Sequence, residues 1–455
     1  MSEHHFPVIA IIGGSLGGLL AASACAPYAD RVVVIEHDDL PDHPTHRRGT
    51  PQARHAHGLL MSGLGALESL LPGCAADMVA HGALCDGDMG RTGQWWIGGG
   101  MLAPTDVGER GVCASRLLLE HTVRERIREL PTVDLMDCAE VTGLTGSASR
   151  VTGVRVARRG DGPPTDISAD LVIDASGRLG RTERWLADLG CAPIDHDIVS
   201  CGIRYATTHI QARTSDLDGQ VYVVVAATPE KPFGAAAIRQ EDGTWTITMG
   251  SYNDDPLPQD IAGIHAFTAR LGVPAIDELL GRELLHPLTN FRFPESRRRM
   301  FHGPDLPTGY LPIGDAISSF NPMFGQGMSA AALEAVALRS VLQAGAADIE
   351  ADYLTQANVI VDRAWSLVAL ADRAIPGVAD ARVPRSEQLR YGYSRRVQRV
   401  AHSDPDVSRT LLLVTSLVEP VDVLLAPRIV CKALGWRTHR APRSSAGAVA
   451  TAGRL

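Results

Sequence analysis

Five apolar residues, V-I-A-I-I at 8–12, run straight into G-G-S-L-G-G-L-L-A-A at 13–22, and R-V-V-V-I-E follows at 31–36. An unbroken apolar run suits a parallel strand covered on both faces, and behind the glycine turn Leu19, Leu20, Ala21 and Ala22 open a helix. In such a unit Gly13 makes the tight turn and Gly18 lets the helix pack closely on the strand. Ser15 stands where a third glycine is usual; it is small, and its hydroxyl can donate to a phosphate. The helix start offers free N–H groups and positive dipole to a pyrophosphate. Glu36, ending the second strand, is placed to accept from a ribose 2′-hydroxyl and to repel a 2′-phosphate, which favours FAD or NAD over NADP. Glycines alone are weak evidence, but a strand before, a helix after and an acid at this distance make the match specific.

At 455 residues the chain is long for one core, so two or three packed substructures are expected. A net charge of -9 argues against a nucleic-acid partner. The eight cysteines, at 25, 74, 85, 113, 138, 191, 201 and 431, include no C-x-x-C and read as buried thiols of a reducing cytoplasm. No signal peptide is read, because Glu3 precedes the early apolar run and the glycine turn ends it. The most apolar late stretch, 411–418, stops at Glu419 and Pro420, short of the ~20 residues a spanning helix needs.

After a polar loop at 37–50, P-Q-A-R-H-A-H-G-L-L leads into leucines at 59, 60, 64, 67, 70 and 71, a helical spacing that ends at Pro72-Gly73. Arg48, Arg54, His55 and His57 belong either to a solvated loop or to one folded back over a cofactor, with its arginines near the phosphates. His55 and His57 have no third ligand at a recognisable spacing, so no metal is assigned. Trp95 and Trp96 lie on a strand and face opposite sides, so at most one meets a substrate; such a tryptophan is most often core. Arg116, opening a helix at 117–130, can reach a cofactor or pair on the surface. D-L-V-I-D-A-S-G-R at 170–178 is a buried strand ending in Asp174 and small residues, as a ligand crevice in a parallel sheet requires. Residues 199–253 switch to strand alternation with Asp242-Gly243 as a hairpin turn, which reads as a separate antiparallel sheet. The arginine run at 297–299 reads as a solvated face.

At 309–334 the chain reads G-Y-L-P-I-G-D-A-I-S-S-F-N-P-M-F-G-Q-G-M-S-A-A-A-L-E. A strand ends in Asp315, a loop with Pro322 turns the chain, and a second helix starts near Gly327 behind glycines that let backbone N–H groups approach a ligand. NAD needs only the first glycine turn. FAD has ribityl hydroxyls for Asp315 and a ring whose N1–C2=O region becomes anionic on reduction. Beyond 344 the chain is mostly helical; residues 423–455 carry Arg428, Lys432, Arg437, Arg440, Arg443 and Arg454 without an acid, and 441–455 read as disordered.

In this order, the first glycine turn, D-A-S-G-R at 174–178 and G-D-A with P-M-F-G-Q-G-M resemble the FAD-dependent monooxygenases of the para-hydroxybenzoate hydroxylase fold, which includes squalene epoxidase. G-T-P-Q-A-R-H-A-H-G-L-L at 49–60 and S-S-F-N-P-M-F-G-Q-G-M-S-A-A-A at 318–332 look most like the bacterial flavin epoxidases of polyether ionophore pathways. The likeness spans about 8–345 and continues more loosely into the C-terminal helices. It implies an α/β fold: a Rossmann-like FAD-binding domain at 1–185 with strands embedded near 89–115, an antiparallel substrate domain at 186–300, a return segment at 301–345, a helical region at 346–440 and a tail at 441–455. Gly13, Ser15, Leu16, Gly17 and Gly18 are expected on the pyrophosphate, Glu36 on the adenosine ribose and Val141 near the adenine. Arg48, Arg54, Arg116 and Asp174 are expected to border the cofactor, Asp315 to hold the ribityl chain or pyrophosphate, and Pro322, Gly325, Gln326, Gly327 and Met328 to face the ring. Ser318-Ser319 stand where many hydroxylases carry a histidine, so that loop lacks a titratable group.

The chemistry implied is oxygen transfer from a flavin C4a-hydroperoxide, with NAD(P)H as transient electron donor and O₂ as oxidant. It epoxidises or hydroxylates an apolar polyketide or terpenoid in secondary-metabolite, antibiotic-type biosynthesis. The cofactor carries the reactive oxygen, so no protein acid or base is demanded, and His57 is placed near the ring in a positional role. Trp95, Trp96, Phe320, Met323 and Phe324 are candidates for the substrate pocket. Rival readings are a flavin reductase or dehydrogenase, a non-redox cyclase with FAD as scaffold, and a flavin-binding subunit; halogenation lacks its W-x-W-x-I-P signature. The basic C-terminal region offers a weak membrane-surface or carrier contact.

Overall fold

The apolar run at the head of the chain becomes β1 (Phe6–Ile12), the central strand of a parallel sheet. The other members are β2 (Ala29–Ile35), β3 (Val133–Met136), β4 (Leu171–Asp174) and β5 (Tyr310–Pro312), in the order β5-β4-β1-β2-β3. These positions come from a computed structural model that describes residues 5–85, 87–160, 162–253, 255–302, 306–378 and 384–435. Ile9, Ala10 and Ile11 are fully buried, as a strand covered on both faces demands. The register lines up Met136, Ile35, Ile12, Asp174 and Pro312 across the five strands. Their carboxyl ends therefore form one edge, and the loops beyond it hold Gly13, Glu36, Ala175 and Gly314. An open parallel sheet binds ligands at such an edge.

Helix α1 (Leu16–Cys25) shows no polar stripe, since every residue except Gly17 is buried. It is enclosed because α2 (Met61–Leu70), α3 (Arg116–Arg128) and α4 (Gly327–Ala344) all pack against it. The leucine-spaced segment is α2, which crosses α4 so closely that a Cβ at Gly63 would lie 2.4 Å from Ser329 Oγ. Next in the chain after α4 comes α5 (Ile349–Arg373), packed on it, and then Arg385–Ala401, Pro405–Thr415 and Pro427–Ala433.

The antiparallel sheet read at 199–253 is present and larger than expected. Its seven strands run Thr289–Phe293, Ile203–Gln211, Thr244–Ser251, Phe233–Arg239, Tyr222–Val225, Gly93–Ile97, Gly100–Met101. The strand carrying the tryptophans thus joins this sheet, pairing parallel to Tyr222–Val225. One face, with Ile210, Val223, Trp245, Ile247 and Met249, packs on Ile261–Leu271 and Pro274–Leu280. Strand alternation turns Tyr205, Thr207, Thr248, Gly250, Gly234, Ala236 and Trp95 to the other face.

The arginine run is not a solvated face. It lies on strand Ser296–Arg299, where Arg298 and Arg299 are 7% and 3% exposed. Arg299 pairs with Glu183 at 2.7 Å, and Arg298 is held by Asp362 and Asn358. None of the eight cysteines is joined in a disulfide, and burial pushes Cys25, Cys113 and Cys201 up to about 12. Among the described residues, no helix is long and apolar enough to cross a membrane. The tail at 441–455 lies outside the described residues.

A Cβ at residue 18 would stand 1.9 Å from the carbonyl oxygen of Gly13, so α1 cannot keep its place if that position is enlarged. Gly18→Ala is expected to destabilise the chain by about 2–3 kcal/mol in urea unfolding. An unchanged midpoint would show that the helix does not meet the strand there.

Candidate functional site

Gly13 bends the chain with φ +102°, and a Cβ there would lie 2.5 Å from Ala175 O on the neighbouring loop. Gly14, between them, leaves room for Glu36, whose Oε2 accepts its N–H at 2.7 Å. Glu36 is 4% exposed; its Oε1 also accepts from Asp38 N and meets His37 Nδ1, at 2.9 and 2.8 Å. Burial raises its pKa, but His37, the two backbone donors and Arg47 outweigh it and bring it down to about 2. Glu36 is therefore ionised and braces the turn. Val141 is buried on strand Ala139–Ser147, whose first residue donates its N–H to Glu36 O.

The first intrahelical bond of α1 runs from Leu19 N to Ser15 O, and no side chain caps the helix. Its leading N–H groups are thus without helical partners, and Gly13, Ser15 and Gly17 are turned toward the open side while Leu16 is buried. The Ser15 hydroxyl, expected toward a phosphate, instead donates to Glu120 Oε2 at 2.8 Å and accepts from Arg116 Nη2 at 2.9 Å. Glu120 also pairs with Arg47, with Arg124 3.8 Å away. Three guanidinium groups thus surround one carboxylate, and the Nε atoms of Arg116 and Arg124 are buried with no hydrogen-bond partner. This excess of unspent donors suits an anion beside an open helix start. Of the expected arginines, only Arg116 lies in this cluster. Arg48 and Arg54 are exposed, and the buried member of the loop is Arg47. The one signal for Glu120 was the spacing Arg116, Glu120, Arg124, which puts all three on one face of α3.

The second turn meets the first. Gly314 N donates to Glu334 Oε2 at 2.6 Å, and Arg299 donates to the carbonyls of Asp315 and Ala316 at 3.3 and 3.0 Å. Asp315 is open to solvent yet walled by protein, which pushes its pKa up against the pull of Arg116, Arg178 and Arg299. Pro322 and Gly325 are exposed, and Gly325 spends its N–H on Pro322 O. Gln326 is buried and turns its amide to Thr415 O at 2.9 Å, so α4 also starts uncapped, its first bond being Ala330 N to Gln326 O. Gly327 and Met328 therefore carry N–H groups without helical partners. Positions for a Cβ at Gly17 and at Gly314 lie 3.8 and 3.4 Å from the same Ala331 methyl, and one at Gly327 lies 3.9 Å from Asp315 Oδ1. Two uncapped helix starts thus open on one crevice.

Asp174 does something other than face this crevice. It is fully buried, and its carboxylate accepts from Thr182 Oγ1, Tyr310 OH and Ser176 N at 2.6, 2.7 and 2.9 Å. It ties the end of β4 to the start of β5.

Residues 55–57 lie on the inner face of the large sheet. His55 Nδ1 meets Thr207 Oγ1 at 2.7 Å, and Ala56 N donates to Thr248 Oγ1 at 2.8 Å. His57 Nδ1 donates to His55 O at 2.8 Å. Burial, with Arg116 adding to it, brings the His57 pKa down to about 3, so the ring is neutral. Met323 rests on the same face, where its sulfur and methyl lie 3.3 and 3.1 Å from Cβ positions at Gly250 and Gly234. Trp95 also lies on this face, its Nε1 donating to Tyr222 OH at 2.8 Å, under the apolar side of Pro405–Thr415. Trp96 packs on the opposite face, Phe320 stands against Trp365 in the core, and Phe324 is half-buried.

No family model matches the chain. Protein Rv3254 of Mycobacterium tuberculosis (strain ATCC 25618 / H37Rv) is 29% identical over 439 residues, 93% of this chain and 92% of that protein. A kynurenine 3-monooxygenase of Salinispora arenicola (strain CNS-205) is 26% identical over 371 residues, 74% and 72% of the two chains. Among solved structures, p-nitrophenol 4-monooxygenase PnpA from Pseudomonas putida DLL-E4 superposes with TM-score 0.65 at 17% identity, over 92% of this chain and 99% of that one. The flavin-dependent brominase Bmp2 does so with TM-score 0.65 at 16% identity, over 91% and 94%. The architecture is that of flavin-dependent monooxygenases, and at this identity the likeness carries the architecture alone.

A histidine whose pKa falls on folding takes up protons more readily unfolded. The His57 contribution to stability is thus complete above about pH 6.5 and is lost as pH drops toward 3. In an NMR titration of the folded chain its ring is expected to show no protonation step between about pH 5 and 8; a step near the ordinary histidine value would contradict the buried placement.

Proposed function

We propose that the chain is an FAD-dependent monooxygenase that epoxidises or hydroxylates a small apolar substrate, a polyketide or terpenoid of secondary metabolism, in the cytoplasm. The observation that carries this reading is the pair of uncapped helix starts opening on one crevice. A dinucleotide held by its pyrophosphate alone needs only the α1 turn, whereas a flavin dinucleotide uses both. The named activities of the kynurenine and p-nitrophenol enzymes support oxygen insertion. The halogenase motif W-x-W-x-I-P is absent, and Trp95-Trp96-Ile97 does not replace it.

The residues fit the cofactor. Gly13, Gly17 and the α1 start, with Arg116 and its unspent Nε–H, hold the pyrophosphate; Glu36 and Val141 border the adenosine; Asp315 holds the ribityl chain; Gly327 and Met328 meet the ring. Bound FAD supplies the activated oxygen, drawing electrons from NAD(P)H and oxygen from O₂. The chain supplies the rest. The N–H groups of α4 and its dipole stabilise negative charge at the ring. Met323, Trp95 and the helix Pro405–Thr415 exclude water from the inner face of the sheet. Gly234 and Gly250 carry no side chain there, which lets Met323 lie close against that face. His57 stays neutral, orienting without placing a charge beside an apolar substrate.

Oxygen-electrode measurements on purified protein with NADH or NADPH test the reading. Reductant oxidation is expected to consume O₂, and Asp315→Ala to weaken FAD binding about tenfold or more, the worth of a hydrogen bond to a charged group. Reductant oxidation with substrate but no O₂ uptake would assign a reductase instead, and turnover on oxidised flavin without air a cyclase.

A further inference from the structure

Asp372, on the last turn of α5, is 0% exposed. A carboxylate there is placed badly on three counts: it is out of water, it sits at the negative end of a helix dipole, and among the described residues no cation is bonded to it. Arg373 beside it is turned to Asp197 at 2.9 Å and Glu387 at 3.5 Å. Asparagine would serve a purely packing role better. What the carboxylate does instead is join three elements. Its Oδ1 accepts from Tyr252 OH at 2.7 Å and from Asn321 Nδ2 at 2.8 Å, and Asn321 Nδ2 reaches Tyr252 OH at 2.9 Å. Tyr252 directly follows the strand Thr244–Ser251 of the large sheet, and Asn321 directly precedes the turn Pro322–Phe324. Asn321 Oδ1 then accepts from Met323 N at 3.0 Å. The amide can face only one way, its NH₂ toward the carboxylate and its oxygen toward Met323. Asn253 adds a second tie, donating to Pro376 O just past α5 at 3.2 Å.

We infer that Asp372 is a positioning residue of the oxygenation site. Through Asn321 and Tyr252 it sets where residues 322–328 stand against the large sheet, and so where the ring-facing helix start meets the substrate face. This rests on the flavin reading above. Asp372 Oδ2 has no hydrogen-bond partner among the described residues, and nearby Tyr205 shares the space at Gly250 with Met323, 5.7 Å from the His55 ring. The network is thus continuous with the inner face of the sheet. Burial pushes the Asp372 pKa up to about 6, while Tyr252, Asn321 and Arg373 hold it down. The other titratable groups facing it are Cys201 and Tyr205, both neutral, since burial raises each. The charge that orients Asn321 is therefore half lost at about pH 6, growing above it and fading below it.

The test is a polarity swap. Asn321→Asp sets two carboxylates against each other and is expected to speed amide hydrogen exchange at Met323 and Phe324 by about tenfold or more, the loss of a charge-assisted hydrogen bond. It also shifts the visible flavin spectrum of the FAD-loaded protein. The double variant Asn321→Asp with Asp372→Asn restores donor facing acceptor and is expected to return both readouts to within about twofold of the parent. Exchange in the double variant equal to that of Asn321→Asp alone, or no change in the single variant, overturns the proposal. Asp372→Asn alone preserves shape and reads the charge: exchange at 321–328, corrected for its intrinsic pH dependence, has a step near pH 6 in the parent that this variant loses. A step that survives the substitution also overturns it. Exchange is read on the apoprotein too, so the two failures are distinguishable: no FAD binding with the exchange pattern intact overturns the flavin reading and with it the oxygenation role, whereas FAD binding without that pattern overturns the positioning role.

Discussion

The close approach of Gly18 to the carbonyl of Gly13 is the contact on which the rest of the arrangement depends. It seats the start of α1 at the end of β1, in the row where all five parallel strands terminate. Helix α4 then packs on α1 through Ala331, which brings the start of α4 to the same edge. Neither helix start is capped by a side chain, and both are partly open. A folded chain seldom leaves two sets of backbone donors unsatisfied at one place unless a ligand completes them.

Charge is distributed with the same economy. Glu36 is ionised because backbone N–H groups and Arg47 compensate its burial. Glu120 draws Arg47, Arg116 and Ser15 together, so donors that a phosphate needs are held in place by a carboxylate of the chain itself. Glu334 receives the Gly314 N–H, and burial brings its pKa up to about 8, so it braces the second turn mainly as a neutral acid. Against the large sheet the two histidines at 55 and 57 are both neutral, with His55 held down to about 4 by burial. Arginine donors gather where a dinucleotide would lie, and the histidines against the large sheet are neutral. That division is a physical argument for two ligands of different chemistry meeting in one crevice.

Much of this was legible in the chain itself, because the informative features are local. The strand, glycine turn and helix at 8–25, the acid at 36, the leucine-spaced α2 and the turn from Asp315 to Gly327 each declare themselves within about thirty residues. The opposite facings of Trp95 and Trp96 followed from strand alternation. What was not legible is set by partners distant in sequence. Nothing in H-R-R says that Arg47 turns inward while Arg48 does not; Glu120, 73 residues away, decides it. The run at 297–299 looked solvated because its partners Glu183 and Asp362 lie far off in the chain. Asp174 was read as a crevice residue, yet Tyr310 and Thr182 enclose it. Asp372 stands in an ordinary helical stretch and acquires meaning only where the large sheet, α5 and the loop after Ser319 converge.

In the proposed site one flavin dinucleotide spans both glycine turns, so that each end strengthens the hold on the other. Equilibrium titration of the apoprotein with FAD, FMN and ADP measures this directly. If the two halves of the crevice act together, FAD binds with one-to-one stoichiometry and at least about a hundredfold more tightly than either fragment. Equal affinity for ADP and FAD would mean that only the α1 turn takes part, and the account of a flavin site bridging α1 and α4 would be wrong.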